Sequence, residues 1–245
     1  MNRNSKRSLA CDLELPQKLK SFLANDRQVQ NPVNNPQRLM APELAFGRHR
    51  GPVPRNAHRA AVLISLTPHE VLLPGVGQNR FEWLIPLTVR ARGLHDHGGQ
   101  IALPGGRLER GEDSWGAAKR EYREEFFSQV DSAVIDIVDD TNGHSELEYL
   151  GQLSSIYVYA SNNQVDVFVA YETSTPHYNP SPDEVEQILP VPLSFLLREE
   201  ACVIGTMGRG TTTFEAPGYR FGEHFTWGAT AMILAEFVAI VRQCT

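Results

Sequence analysis

The sequence predicts an α/β fold in which helices cover a mixed β-sheet, although periodicity alone leaves an α+β arrangement open. Three observations predict it. Apolar, β-branched runs of strand length recur from His58 onward. Helix-patterned segments fall between and after them. The composition of the 245 residues is that of an ordinary globular chain, with 41% hydrophobic and 21% charged residues.

Leu13 to Leu23 carries apolar residues at 13, 15, 19, 22 and 23, close to a helical stripe. Asn25 to Asn56 is polar and proline-bearing and reads as an irregular surface arm. Its basic run RHRGPVPR is a candidate anion contact, with a solvated linker the commoner fate of such runs. We therefore expect a helix and arm over residues 1–57 and a compact domain over 58–245. HRAAVLISL and FEWLIPLTVR (Phe81–Arg90) predict strands. Gly98 to Gly106 is glycine-rich. Asp113 to Phe127 predicts a helix, with Asp113 or Ser114 as N-cap. LEYLGQL and QVDVFVAYE predict further strands, with a short one at Ile156–Ala160 leading into the SNN turn. Val185–Leu189 and Leu193–Leu197 read as short pieces around Pro190 and Pro192. Thr226 to Arg242 reads as a terminal amphipathic helix.

Net charge is −6, from 23 basic and 29 acidic residues. An acidic chain gains no counterion-release energy from a phosphate backbone, so nucleic acid is not the expected partner. The three cysteines, Cys11, Cys202 and Cys244, match neither a zinc pattern nor a disulfide framework. No secretory signal is visible, and the apolar run Ala229–Val241 contains Glu236 and is too short for a bilayer. A soluble, cytoplasmic protein without a membrane partner is expected.

The informative stretch is Gly105 to Glu125, GGRLERGEDSWGAAKREYREE. On a helix, Glu124 lies about 60° behind Glu121 and Glu125 about 40° ahead of it. Three like charges on one face repel. A hard divalent cation such as Mg²⁺ offsets that cost, because it prefers carboxylate oxygens. Arg120 beside the cluster and Glu112 eight residues earlier form a candidate pair tying the preceding loop to the helix. Gly105 and Gly106 let the backbone turn tightly, and a carbonyl at Gly105 is a candidate metal oxygen. Strand end, glycine turn and helix start would enclose a pyrophosphate-sized site. A charge-rich hexamer alone is more often a solvated face; the fixed spacing from Gly106 through Glu112 to Arg120–Glu125 argues for chemistry.

That spacing resembles the Nudix box, G-x5-E-x7-R-E-U-x-E-E-x-G-U with U a bulky apolar residue. The match runs from Gly106 to Glu125, with Tyr122 at the first U; Phe127 and Ser128 replace the final glycine and apolar residue. Upstream, Leu87–Gly106 (LTVRARGLHDHGGQIALPGG) is similar to the extra motif of coenzyme A diphosphatases in that superfamily. It matches at Leu87, Thr88, Arg90, Leu94, His97, Gly99, Gln100 and Pro104 to Gly106, and differs at His95 and Leu103. EVEQILPVPLSFLL and YRFGEHFTWGATAMIL resemble later segments of that subfamily.

The resemblance implies a Nudix-like α/β/α sandwich and hydrolysis of the pyrophosphate of coenzyme A or acyl-CoA to 3′,5′-ADP and 4′-phosphopantetheine. It implies Mg²⁺ or Mn²⁺ on Glu121 and Glu125, with Glu124 as a third ligand or as base. Glu184 and Glu186 are candidate bases from outside the box. Arg90, His95, His97, Gln100 and Arg107 are the candidate substrate contacts, arginine matching phosphate with a planar fork. Another nucleoside diphosphate derivative (ADP-ribose, NADH, an NDP-sugar) and a non-catalytic nucleotide-binding Nudix module stay open as alternatives. A homodimer is also compatible with the sequence.

Overall fold

The computed structural model describes residues 12–25, 40–42, 52–72, 79–93, 98–127, 146–209 and 211–244. Helix α1 (Leu15–Ala24) precedes strand β1 (His58–Leu72), β2 (Asn79–Arg90), β3 (Ile101–Ala102) and β4 (Gly105–Arg107). Helix α2 (Ser114–Phe126) leads to β5 (Leu147–Val158), β6 (Asn163–Glu172), β7 (Val185–Pro192) and the single turn α3 (Leu193–Leu196). The chain ends with β8 (Cys202–Arg209), β9 (Thr212–Phe221), β10 (His224–Trp227) and α4 (Gly228–Val241).

β1 organises the main sheet, whose order is β3-β2-β1-β6-β5. Its first half runs parallel to β6, from His58↔Asn163 to Leu66↔Tyr171. On its other edge that half pairs antiparallel with β4 at Ala60–Val62. The second half turns to β2, from Thr67↔Leu84 to Leu72↔Asn79. β7 adds to β2 with Pro86 opposite Pro190, and it pairs with no other strand among the described residues, which is where prolines are tolerated.

Strand alternation sorts the core into two layers. Ala61 and Leu63 face α2 with Ala117, Ala118, Tyr122, Phe126, Phe168 and Ala170. Ala60, Ile64 and Leu66 face the opposite layer, where α1 and α4 supply Leu15, Leu19, Leu23 and most of α4. The fold is thus an α/β/α sandwich around a mixed sheet, as expected from the sequence.

Several local expectations change. Ile156–Ala160 is no separate strand: Ile156 to Val158 finish β5 and the turn follows. Val185–Pro192 is one strand, and the turn at Leu193 starts directly after it. The terminal helix is not amphipathic. It is buried from Ala231 to Val238 and again at Ile240 and Val241, because β5 and the β8–β10 sheet cover it from different sides. Glu236, inside it, accepts from the Ser154 hydroxyl (2.6 Å) and amide (3.2 Å). The separate antiparallel sheet β10-β9-β8 has no counterpart in the sequence reading. Much of the 25–56 arm lies outside the described residues, but α1 is in the main core. Among the described residues no helix is long and apolar enough to cross a membrane.

Candidate active site

α2 begins as predicted. Asp113 is its N-cap, accepting from the Gly116 amide at 2.6 Å, and the helix ends at Phe126, one residue short of the expected limit. Its acidic turn lies against β4. The extended pair Gly105–Gly106 lets that approach happen. A Cβ on Gly106 would sit 2.3 Å from Glu121 Oε1, and one on Gly105 (φ +152°) would sit 2.3 Å from the Ala61 carbonyl oxygen. Gly105 is therefore required by space and by its backbone angle, whereas at Gly106 the room is taken by the end of the Glu121 side chain.

Arg120 sits at the centre of a carboxylate cluster. Its Nε and Nη2 donate to Glu112 Oε1 and Oε2 at 3.0 and 3.1 Å, a two-pronged grip. Nη2 also donates to the Arg107 carbonyl, 3.1 Å. Nη1 donates to Glu121 Oε1 at 3.0 Å and to Glu124 Oε2 at 2.9 Å. The pairing of Arg120 with Glu112 is present, and the guanidinium does more than tie the loop. It lies between Glu121 and Glu124 and offsets the repulsion that the sequence reading assigned to a cation alone. Its donors hold the Glu112 carboxyl below the usual range. Glu121 goes the other way: burial raises it, against the pull of Arg120.

Glu125 stands apart from this grip. It is 4% exposed. Its Oε1 accepts from the Gly105 amide at 3.2 Å, and its buried Oε2 has no hydrogen-bond partner among the described residues. Burial pushes its carboxyl up to about 8, opposed by the Gly105 amide and the Arg90 charge and helped by Glu121 and Glu184. An anionic oxygen left bare in such a place is costly unless a cation reaches it. The donor set is all oxygen, which suits a hard dication. Glu121 and Glu124 face Arg120, and among the described residues no three His, Cys, Asp or Glu side chains are already grouped to hold an ion.

The remaining candidates divide. Arg90 is near enough to bear on Glu125, and its buried Nε has no partner among the described residues. The Arg90 amide donates to the Gln100 carbonyl (3.0 Å) and the Gly99 amide to the Arg90 carbonyl (2.9 Å), closing the hairpin that carries the upstream motif. His95 and His97 lie outside the described residues. Arg107 directs its Nε to Asn163 Oδ1, 3.3 Å, at the start of β6. Glu184 acts on both Glu121 and Glu125, whereas Glu186 pairs with Arg92 at 3.2 Å. The loop bearing Glu184 is joined to the helix end: Asn179 and Ser181 donate to the Phe126 and Glu125 carbonyls, 2.8 and 3.3 Å.

Two acids that sequence reasoning passed over anchor α2. Asp166 accepts from Ser114 (2.6 Å), Ser155 (2.7 Å) and Arg59 (3.0 Å). Glu172 accepts from the Tyr122 hydroxyl, 2.7 Å. The signal was available: QVDVFVAYE carries Asp166 and Glu172 at even-numbered positions, which period-2 alternation places with Phe168 and Ala170 on the α2 face.

Fold and site together define an α/β protein that presents an acidic helix to a glycine turn. A family model described as the NUDIX domain matches residues 78–201. NudL of Citrobacter koseri, described as an uncharacterized Nudix hydrolase, is 30% identical over 167 residues, 68% of this chain and 78% of that relative. Nudix hydrolase 22 (chloroplastic) of Arabidopsis thaliana is 27% identical over 212 residues, 82% of this chain and 61% of that relative. Nudix hydrolase 15 (mitochondrial) of the same plant is 26% identical over 169 residues, 64% and 52%. The chain thus spans between about half and three fifths of the length of the two plant relatives. Among solved structures, a MutT/nudix family protein from Enterococcus faecalis aligns with TM-score 0.47 at 15% identity, covering 81% of this chain and 68% of that one. The chain belongs to the Nudix family.

Proposed function

We propose that the chain is a dication-dependent pyrophosphohydrolase acting on coenzyme A or an acyl-CoA. The observation that carries the hydrolase reading is the Glu125 carboxylate, buried beside the Gly105 amide and the other acids of α2 with one oxygen unpartnered among the described residues. Glu121 and Glu125 are the residues that would hold Mg²⁺ or Mn²⁺, with Glu124 and the Gly105 carbonyl as further oxygens. A dication held there supplies positive charge for the diphosphate oxygens and acidity for the attacking water. The chain's own part is positioning: Arg120 fixes Glu112, Glu121 and Glu124, and the glycine turn leaves room for the substrate. Water adds at one phosphorus, the anhydride P–O bond breaks, and the water's proton passes to a carboxylate. Glu124 and Glu184 are the two candidates for that proton.

Coenzyme A is favoured by the motif on the β2–β3 hairpin, whose Arg90 is near enough for its charge to bear on Glu125. Leu103, one of its two departures, is buried in the main core, so that change alters packing rather than a substrate contact. The same reading makes the partner a small nucleotide and the setting the cytoplasm.

The test is a product assay with Mg²⁺ or Mn²⁺ over coenzyme A, acetyl-CoA, ADP-ribose, NADH and an NDP-sugar. The expected products from coenzyme A are 3′,5′-ADP and 4′-phosphopantetheine. Cleavage of ADP-ribose or NADH alone would remove the coenzyme A claim and keep the reaction class. No cleavage of any of them would leave the non-catalytic module.

A further inference from the structure

The helix that carries the acids has an unusual residue between them. The Nudix box has a bulky apolar residue where this chain has Tyr122. The ring does the apolar work: it packs edge-on against Phe126 (4.8 Å between centroids) and Phe127 (5.8 Å), and the residue is 2% exposed. The hydroxyl is an addition, and a buried hydroxyl needs a partner. Glu172 provides it at 2.7 Å from a carboxylate that is itself 1% exposed. Nearby, the Thr67 and Tyr178 hydroxyls share a hydrogen bond of their own at 2.9 Å. The Tyr122 phenolic proton goes to Glu172, which ties the middle of α2 to the end of β6.

Such a bond restrains what apolar packing leaves loose. Aliphatic contacts hold a helix against a sheet but resist its roll about its own axis weakly, because they have no direction; a hydrogen bond has one. Glu121 and Glu125 flank Tyr122 on the same turn. With side-chain ends about 6 Å from the helix axis, a roll of about 10° moves a carboxylate by about 1 Å. A displacement of that size is enough to cost about a hundredfold in rate.

We propose that the Tyr122–Glu172 hydrogen bond is a positioning device that sets the roll of α2 and so aims Glu121 and Glu125. It rests on the hydrolase reading above. Neither Tyr122 nor Glu172 touches the substrate; they act through the helix.

The test compares wild type, Tyr122→Phe and Tyr122→Phe/Glu172→Leu for Tm, kcat, KM and the Kd of Mn²⁺ without substrate. Tyr122→Phe takes the phenolic donor away from the buried Glu172 carboxylate, whereas replacing both leaves two apolar groups in contact. Tyr122→Phe is therefore expected to lower Tm and the double variant to recover it. Both are expected to lose about ten- to a hundredfold in kcat and to bind Mn²⁺ more weakly, with KM within about threefold of wild type. A double variant with wild-type kcat and Mn²⁺ affinity overturns the proposal, since the bond then serves stability alone. Should the double variant not fold, Glu172→Gln replaces it: it keeps an acceptor oxygen and should hold kcat near wild type where Tyr122→Phe does not. Equal losses in those two single variants also overturn the proposal. Wild type that binds no Mn²⁺ and cleaves none of the five substrates sinks the hydrolase reading and this proposal with it.

Discussion

Glu125 shows how one side chain couples stability to chemistry. In the folded chain without dications, burial pushes its carboxyl up to about 8 from an ordinary 4.5. Between those values the folded chain holds a proton that the unfolded chain has released. Its contribution to stability is therefore greatest below pH 4.5 and is lost as pH rises to about 8. Without dications, wild type should lose Tm over that window relative to Glu125→Gln. Adding Mg²⁺ at the upper end should raise the wild-type Tm and leave the variant's unmoved. Parallel melting curves for the two proteins would refute the desolvated carboxylate. The neighbouring glycines separate space for a backbone from space for a side chain. A methyl group on Gly105 meets backbone, at 2.3 Å from the Ala61 oxygen, and strains a positive φ. One on Gly106 meets only the flexible end of Glu121. Gly105→Ala should cost about 2 kcal/mol or more in urea unfolding. Gly106→Ala should stay close to wild type in stability but lose at least about tenfold in hydrolysis as Glu121 is pushed aside. Equal stability losses would show that Glu121 cannot move.

At the scale of elements, α2 is held at both ends and in the middle. Ser114, its first residue, is tied through Asp166 to Arg59 and Ser155. Asp166→Ala removes the shared acceptor of Ser114, Ser155 and Arg59. Ser155 and Arg59 are exposed and water replaces their partner, while Ser114 keeps its bond from Arg59 (2.7 Å), so the loss is chiefly that of the Ser114 tie. The expected cost is about 1 kcal/mol with an unchanged m-value; a cost below about 0.5 kcal/mol would mean that the apolar face alone seats the helix. The legibility of the sequence follows the same division between local and distant causes. α2 could be read to within a residue, because Asp113, the glycine spacing and the acidic run are all local. The burial of α4 could not, since the strands that cover it come from distant parts of the chain. β8 and β9 were hidden for a physical reason: glycines at 205, 208 and 218 and Pro217 dilute their alternation. Gly205 and Gly218 leave room for the Phe225 ring, a contact that no short window of sequence contains. In the site, the Nudix acids and the Arg120–Glu112 pair were legible from spacing. The grip of Arg120 on Glu121 and Glu124, and the Tyr122–Glu172 bond, depend on rotamers and on β6.

The whole molecule depends on a helix that lies outside the matched family segment. Leu15, Leu19 and Leu23 are buried in the core beneath the sheet, and Trp83 donates its indole N–H to the Asp12 carbonyl at 2.8 Å. At about 1.5–3 kcal/mol for each buried leucine, deleting residues 1–25 removes about 5 kcal/mol or more. That is of the order of the whole stability of a typical domain. The truncated chain should lose its cooperative melting transition or melt far lower; a wild-type Tm would show that α1 is dispensable. Similar reasoning bears on β1. From Ala60 to Leu66 it is buried but for a half-buried Val62, and its parallel neighbour, β6, begins about a hundred residues further along. Contacts between such remote stretches close slowly. On the ribosome, the apolar ribbon from Ala60 to Leu66 must wait for Tyr171 to emerge. In that interval, before any chemistry is in place, the nascent polypeptide is most exposed to aggregation and most in need of a chaperone.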